Sequence, residues 1–548
     1  MSYFAALLMS LFITLALVPL LRTFAIRWGA VDLPNERKVH KRPIPRIGGV
    51  AMAFGVMIPV LLWMPNTSLL LPLVTASGLI AAFGFLDDLR ELNSATKFGV
   101  QVLAALIVIF WGGVQIRSLD GLLPEGFLLP PFLSIPLTLT AIVGVTNAIN
   151  LADGLDGLAG GISLLTFAAL TWLGFESGRW EVALVAASVC GAIFGFLRFN
   201  THPASIFMGD AGSQLLGFLA IVLSLEMSQQ APYSPFFPLM LLAFPVFDTL
   251  RVMVERVRRG LPPFSADRNH FHHKLLARGL YHSEAVALIY VLHALLTVGA
   301  CLFRFGPEGG LLAGCAGFSG MAMLLLKSPV HEAKSDSPLH RLAKPLLSTW
   351  AGIRGSDLPI RWAFTGLKLL LALIGLRLVL LLPVGTPSWF PWFLAGTGGM
   401  LLAGLAMPED WRGWMLRGAF FLVVPFLVYF GQFNGKDLPV PVFLLHLADG
   451  GFLVLGLVAT MVIKLTRRSG YRSTPLDLLI LLIVLAAPLF AGTIQERMRL
   501  LIVAAEILVL FFSFEVLLVE LRHRFRKLQL VSALFLLAGA GGLLQTVF

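Results

Sequence analysis

Two adjacent carboxylates, Asp87 and Asp88, close the hydrophobic stretch that runs up to Gly84-Phe85-Leu86. A carboxylate at the edge of hydrocarbon is costly and two neighbours repel each other, so the pair asks for a compensating cation or a proton. Taken alone, it also fits a solvated helix end with Arg90 as counter-charge. A second polar group, Asn147, Asn150, Asp153 and Asp156, sits in the stretch Asn147-Ala-Ile-Asn150-Leu-Ala-Asp153-Gly154-Leu-Asp156-Gly157. Asp153 or Asn150 could cap the next helix, but one cap needs one such residue. Four amides and acids among glycines, which admit a ligand close to the backbone, point to binding. Asp210, in Phe207-Met-Gly-Asp210-Ala-Gly-Ser213, stands at the head of an apolar run. There it reads first as the cap of that helix and second as a metal ligand. The fourth group is Asp267-Arg268-Asn269-His270-Phe271-His272-His273-Lys274. Its three histidines lack the paired cysteines or HExxH pattern of a zinc site. Beside Arg256, Arg258, Arg259 and Arg268 they suit phosphate or sugar oxygens.

Clustered carboxylates suit a hard divalent cation, and cations with glycine-rich backbone suit phosphates. Mg²⁺ bridges protein carboxylates to substrate phosphates, so the groups together indicate metal-assisted phosphoryl transfer. A metal is needed because one phosphate attacking another brings like charges together.

The elements that must position these groups are membrane helices. The 548 residues are 57% hydrophobic and 13% charged, with a mean hydropathy of +0.86, which excludes an ordinary soluble protein. Apolar runs of roughly 18 to 22 residues recur along the chain, each enough for one helical crossing. They predict an all-α polytopic membrane protein, with about eleven helices up to residue 326 and about seven further crossings beyond 361. Helix three is expected to end near Leu86, and helix nine to be one span over Phe236 to Val254. The first run, Phe4 to Leu21, has no basic residue before it and Arg22 and Arg27 after it, the reverse of a cleavable signal. The loop from Asp32 to Arg46 is dense in Lys and Arg, which puts it in the cytoplasm and the N-terminus outside. In the alternation that follows, all four polar groups fall on the cytoplasmic face.

Composition also divides the chain. Residues 1–330 form a core, 331–361 a basic cytoplasmic linker, and 362–548 a C-terminal transmembrane module. The intramembrane polar residues of that module, His446, Asp449, Glu506 and Glu515, are candidates for a second function but form no motif; a structural extension is the simpler reading. The net charge of +11 lies in short loops between spans, where topology and attraction to anionic lipid explain it without nucleic acid. Cys190, Cys301 and Cys315 lie in or beside spans and read as small packing residues.

Five segments, in order, carry a resemblance: Leu33-Pro-Asn-Glu-Arg-Lys-Val-His40, Leu86-Asp87-Asp88, Asn147 to Gly157, Phe207 to Ser213, and Asp267 to His273. They are similar to the polyprenyl-phosphate N-acetylhexosamine-1-phosphate transferase family, in its WecA-like branch. The resemblance implies an eleven-helix core of that order and a Mg²⁺-dependent reaction, with Mn²⁺ as a substitute, on the cytoplasmic face of the inner membrane. A polyprenyl phosphate, undecaprenyl phosphate in a bacterium, attacks the β-phosphate of a UDP-N-acetylhexosamine. The histidine loop resembles that of N-acetylglucosamine users. The products are polyprenyl-pyrophosphoryl-N-acetylhexosamine and UMP, the first step of lipid-linked glycan synthesis.

By the same resemblance Asp210 is the Mg²⁺ ligand, and Asp87 and Asp88 serve the lipid phosphate as base or as further metal anchors. Lys97 meets a phosphate; Asn147, Asn150, Asp153 and Asp156 surround the nucleotide; Arg268, His270, His272 and His273 take the pyrophosphate and sugar. A phosphate near neutral pH is already largely ionised, so charge positioning outranks proton abstraction for the aspartate pair. Membrane lipid is an expected partner, nucleic acid is not, and a homodimer is left open. The family pattern ends near residue 330. Two readings from other classes compete: a transporter or flippase for lipid-linked sugars, and an anchoring scaffold. A transporter usually places its site near the midplane on broken helices, whereas these clusters lie at helix ends; a scaffold leaves the aspartates without a task.

Overall fold

A computed structural model of the chain describes residues 2–32, 43–64, 67–90, 92–119, 122–124, 126–230, 233–262, 269–306, 308–327, 358–380, 387–434, 451–452, 454–459, 461–462, 494–521 and 525–547. In hydrocarbon every backbone polar group must be satisfied internally, and a helix does this within one segment. The apolar runs accordingly fold as helices. They are α1 Ser2–Trp28, α2 Gly48–Trp63, α3 Leu70–Arg90, α4 Ser94–Phe110, α5 Pro131–Ala152, α6 Leu158–Glu176 and α7 Trp180–Asn200. The series continues with α8 Gly209–Gln230, α9 Phe237–Leu241, α10 Ala243–Arg258, α11 Phe271–Ala277, α12 His282–Leu302 and α13 Glu308–Lys327. Among the described residues nine helices of the whole chain are long and apolar enough to cross a membrane, and Gly48–Trp63, Ser94–Phe110 and Phe390–Ala406 are shorter apolar helices. The protein is therefore an all-α, multi-pass membrane protein.

Two compact units hold the described residues, one up to 327 and one from 358 onward. In the first, α8 is the central helix, packed by α2, α3, α5, α6 and α7, and 89% of its apolar window is buried. Large apolar side chains left exposed, such as Phe12, Leu62, Phe110 and Phe132, suit lipid. Exposed Trp28 and Trp63 end their helices and Trp111 follows α4, where indoles sit at a membrane interface.

Local chemistry sets several helix starts. The Asn93 side chain accepts the Thr96 N–H at 2.8 Å to begin α4, and Pro131, with no N–H to satisfy, opens α5. The Glu284 carboxylate reaches back to the Tyr281 N–H at 2.9 Å at the head of α12.

Three details depart from the sequence reading. The span expected over Phe236 to Val254 is broken at Leu242 into α9 and α10. Its second half carries Asp248 and Arg251, with Glu255 just past its expected end, and one hydrophobic crossing would not absorb them. Helix α3 runs on to Arg90, so Asp87 and Asp88 lie in its last turn rather than beyond it. A two-residue antiparallel pair, Val31–Asp32 with Ile44–Pro45, interrupts the all-helical pattern. The segment Leu33–His40, and the linker up to residue 357, lie outside the described residues; a helix begins at Leu358.

The second unit contains helices Leu358–Leu380, Phe390–Ala403, Glu409–Asn434, Ile494–Leu521 and Arg526–Val547. Its own core gathers Leu367, Phe390, Leu394, Leu401, Val428, Leu455 and Ala533. Glu515 is paired with Arg417 at 2.8 Å across two of these helices, and Glu506 is buried. His446 and Asp449 lie outside the described residues.

Candidate active site

The last turn of α3 meets the first turn of α8. Gly84 makes this approach possible, since a Cβ there would collide with the backbone of Ala211. Asp88 then places its carboxylate over the start of α8: Oδ1 accepts the Asp210 N–H at 2.9 Å and Oδ2 the Ala211 N–H at 3.2 Å. Helix N-termini carry unsatisfied N–H groups and partial positive charge, so this is a cap supplied by a different helix. Both Asp88 oxygens are engaged, and the residue fixes where Asp210 stands.

Asp87 turns the other way. Its Oδ1 accepts the Leu92 N–H at 2.6 Å, and its Oδ2 lies 2.5 Å from Lys97 Nζ on α4. The same ammonium is 3.2 Å from Asp210 Oδ2, so Lys97, and not Arg90, is the counter-charge that joins Asp87 to Asp210. An amide chain continues from there. Gln214 donates to Asp210 Oδ2 at 3.2 Å, Gln101 donates to Gln214 at 3.0 Å, and Asn147 donates to Gln101 at 2.6 Å. Asn150 accepts the Ser213 hydroxyl at 2.6 Å. Of the residues nominated from sequence, Asp87, Asp88, Lys97, Asn147 and Asp210 thus form one connected polar network on α3, α4, α5 and α8, and Asn150 meets α8 separately at Ser213.

The turn before Asp210 is held by backbone. Phe207 N–H donates to Pro45 O at 2.7 Å, Gly48 N–H to Phe207 O at 2.9 Å, and Gly49 N–H to Met208 O at 2.8 Å. Arg46 lies within this ladder and pairs with Asp32.

The loop from Asp153 to Gly157 is pinned on several sides. The Gly157 N–H donates to Asn200 Oδ1 at 2.9 Å, and the Tyr290 hydroxyl donates to Gly157 O at 2.7 Å. Asp156 Oδ2 accepts from His202 Nδ1 at 2.7 Å and from the Ala204 N–H at 3.1 Å, while its own N–H donates to His282 Nε2 at 3.1 Å. Asp156 therefore ties two loops together. Asp156, His202 and His282 bring one ligand atom each within 4.8 Å of the others. The two imidazoles, however, are stacked at 4.1 Å with planes 20° apart. A ring nitrogen's lone pair lies in its ring plane, and planes so nearly parallel do not meet on one ion. Asp153 has a carboxyl pushed up to about 7, first by burial and then by the charges of Asp210 and Asp156; Arg46 opposes the shift.

The histidine loop is anchored by a residue the sequence reading passed over. Asp248 on α10 accepts from His270 Nδ1 at 2.9 Å, from the Phe271 N–H at 2.9 Å and from Arg251 at 2.7 Å. His270 and His272 are buried, and their Nε2 atoms have no hydrogen-bond partner among the described residues. Burial pushes the His272 imidazole down to about 3, so it is neutral near pH 7. Its ring presses on the Asp153–Gly157 loop at Gly154, where a Cβ would strike it. The His273 ring lies 4.3 Å from that of His272. Arg268 lies outside the described residues, as does Asp267. Of the nearby arginines, Arg259 is held by Glu255 at 2.5 Å.

Sequence reasoning missed Gln101, Gln214, Asp248 and the position of Arg46. The glutamines carried a usable signal: a buried amide in an apolar helix is expensive unless it is bonded, so each implied a polar partner. Asp248 carried the same signal inside the expected ninth span. Arg46 carried none, being one cation among many in a basic loop.

Comparison with known proteins places these segments in context. Residues 70–228 match the family described as glycosyl transferase family 4. A Bacillus subtilis (strain 168) protein, "Probable undecaprenyl-phosphate N-acetylglucosaminyl 1-phosphate transferase", is 35% identical over 302 residues, covering 55% of this chain and 84% of that protein. The decaprenyl-phosphate N-acetylglucosaminephosphotransferase of Mycolicibacterium smegmatis (strain ATCC 700084 / mc(2)155) is 37% identical over 321 residues, 53% of this chain and 79% of that protein. The undecaprenyl-phosphate alpha-N-acetylglucosaminyl 1-phosphate transferase of Escherichia coli (strain K12) is 34% identical over 304 residues, 53% of this chain and 82% of that protein.

Proposed function

The chain belongs to glycosyl transferase family 4, and from that premise we propose that its first unit transfers N-acetylglucosamine-1-phosphate from UDP-N-acetylglucosamine to a polyprenyl phosphate, releasing UMP. The observation that carries the reading is the network in which Asp87, Lys97 and Asp210 meet at the α8 N-terminus. It offers a negatively charged oxygen cluster bordered by cations, which is what a substrate diphosphate with a divalent cation requires.

The residues fit Mg²⁺, or Mn²⁺ in its place. The donors are all hard carboxylate oxygens, and the crowding that pushes up the Asp153 carboxyl is relieved by a divalent charge. Asp210 and Asp153, with Asp87 beside them, would hold the ion. When bound, the metal neutralises charge on the phosphates as they approach. The chain's own residues set the geometry. Asp88 fixes the first turn of α8 and so the direction of Asp210, while Lys97 keeps Asp87 and Asp210 from repelling each other. Gln214, Gln101 and Asn147 restrain the Asp210 carboxylate through hydrogen bonds. The lipid phosphate, already ionised, attacks the sugar-bearing β-phosphorus, and the bond to the UMP oxygen breaks. This is phosphoryl transfer by positioning and electrostatics, since an already ionised lipid phosphate needs little deprotonation.

Charge in the loops supports a cytoplasmic active face in the inner membrane, with the N-terminus outside. The second unit is read as a structural extension. The test is to incubate the purified full chain with undecaprenyl phosphate, Mg²⁺ and a panel of UDP-sugars and to measure UMP. Release is expected with UDP-N-acetylglucosamine and is expected to fall at least about 100-fold in Asp210→Asn. No UMP with any donor, or undiminished release from that variant, overturns the assignment.

A further inference from the structure

The carboxylate cluster poses an electrostatic problem that the network does not solve. A diphosphate or a lipid phosphate brings further negative charge to Asp87, Asp153 and Asp210. The ammonium of Lys97 is already clasped between Asp87 at 2.5 Å and Asp210 at 3.2 Å. Beyond what a divalent ion would offset, the substrate phosphates call for a second protein cation still able to donate.

Arg46 meets the requirement. The backbone ladder that presents Asp210 also fixes Arg46: Pro45 O accepts from Phe207, Gly48 and Gly49 donate to Phe207 and Met208, and the Arg46 N–H donates to Ala30 O at 3.1 Å. Arg46 and Asp210 therefore stand on one frame, on either side of the Phe207-Met208-Gly209 turn. The Arg46 side chain is 35% exposed, so solutes reach it. Asp32, from the partner strand, engages one terminal nitrogen. A guanidinium carries five N–H donors in a planar fork, so one carboxylate leaves donors free for phosphate oxygens. A Cβ at Gly209 would strike both the Asp88 carboxylate and the Arg46 carbonyl, so Arg46 is packed against the residue that precedes Asp210.

We infer that Arg46, aimed by Asp32, is a phosphate-binding residue of this site. It donates to phosphate oxygens of an incoming substrate while Lys97 serves the protein's own carboxylates. Two sources share that chemistry, the nucleotide-linked diphosphate and the lipid phosphate. The inference rests on the transferase reading given above.

The experiment measures UMP release by the full-length protein, varying UDP-N-acetylglucosamine and undecaprenyl phosphate separately, for wild type, Arg46→Met, Arg46→Lys and Asp32→Asn. Loss of a charge-assisted phosphate contact is expected to raise one KM by about tenfold or more in Arg46→Met, together with some fall in melting because the change takes Arg46 away from the buried Asp32 carboxylate. The substrate whose KM rises identifies the phosphate bound. Arg46→Lys is expected to recover part of the loss, because it keeps the charge without the fork, and Asp32→Asn to raise the same KM by a smaller factor. Both KM values within about twofold of wild type in Arg46→Met overturn the inference and leave the reaction standing. So does a fall in kcat alone accompanied by lowered melting, the signature of a merely structural arginine. A wild-type protein that releases no UMP with any donor overturns the transferase reading and this inference with it.

Discussion

Asp88→Asn tests whether the second aspartate of the pair works by holding a helix start. In the wild type its two oxygens accept separate N–H groups, those of Asp210 and Ala211, at 2.9 and 3.2 Å. Asparagine keeps one acceptor oxygen and turns an NH₂ group toward the other N–H, which leaves one donor at the α8 terminus unsatisfied and adds a like-polarity contact. An unsatisfied donor costs about 1–3 kcal/mol, and loss of a helix cap about 0.5–2 kcal/mol, so a net loss of about 1–2 kcal/mol is expected. The helix start relaxes and takes Asp210 with it, and a shift of about 1 Å at a catalytic group costs on the order of 100-fold in rate. Thermal melting in detergent and initial rates of UMP release would be measured on the same preparations, with Asp88→Glu as a variant that keeps both acceptors. The expected result is lowered melting with a rate loss of about 100-fold in Asp88→Asn, and a smaller effect on both in Asp88→Glu. A large rate loss with unchanged melting would refute the capping argument in favour of direct action on substrate. A rate within about twofold of wild type would refute the positioning of Asp210 altogether.

Asp153 gives a pH dependence. With a folded-state pKa of about 7 against about 3.9 for the unfolded chain, its carboxyl keeps a proton on folding through the interval between them. Its contribution to stability is full below about pH 4 and is lost as the pH rises to about 7. In chelator, Asp153→Asn should therefore melt higher than wild type at pH 8 but not at pH 4; equal melting at both would count against the crowded cluster. Mg²⁺ should raise wild-type melting more at pH 8 than at pH 6, because protons compete for the same oxygens, and Asp153→Asn should lose that difference. In the second unit, Arg417→Met strands Glu515 in a buried setting and should destabilise that unit by about 3 kcal/mol. The double change with Glu515→Leu should recover most of it. A double variant no more stable than the single one would show that the pair is not what holds those helices.

The candidate site residues were legible in the chain because they break its dominant rule. In a sequence built of apolar spans, Asp87, Asp88, Asp153, Asp156 and Asp210 are conspicuous, and charge in the loops supplies a common face for them. Helix existence was equally legible, since hydrocarbon leaves the backbone no other economical form. The broken ninth span is the instructive exception: Asp248 and Arg251 within an apolar pattern, with Glu255 just past its expected end, signalled a second polar face, and length alone argued for a plain crossing.

What the sequence by itself determined is the membrane class, the set of polar groups and their gathering on one side. What only the tertiary structure decided is which group answers which. Lys97 serves Asp87 and Asp210, Asp88 caps α8, and Asp156 is bound to His202 and so links loops. His270 and His272 turn inward, onto Asp248 and Gly154. The physical reason is one of range. A helix period or a charge bias is written within about 20 residues, whereas a hydrogen bond is satisfied within about 3 Å by whatever packing brings near. Asp88 and Asp210 are joined only because Gly84 lets α3 close on α8, and nothing local in either segment records that contact.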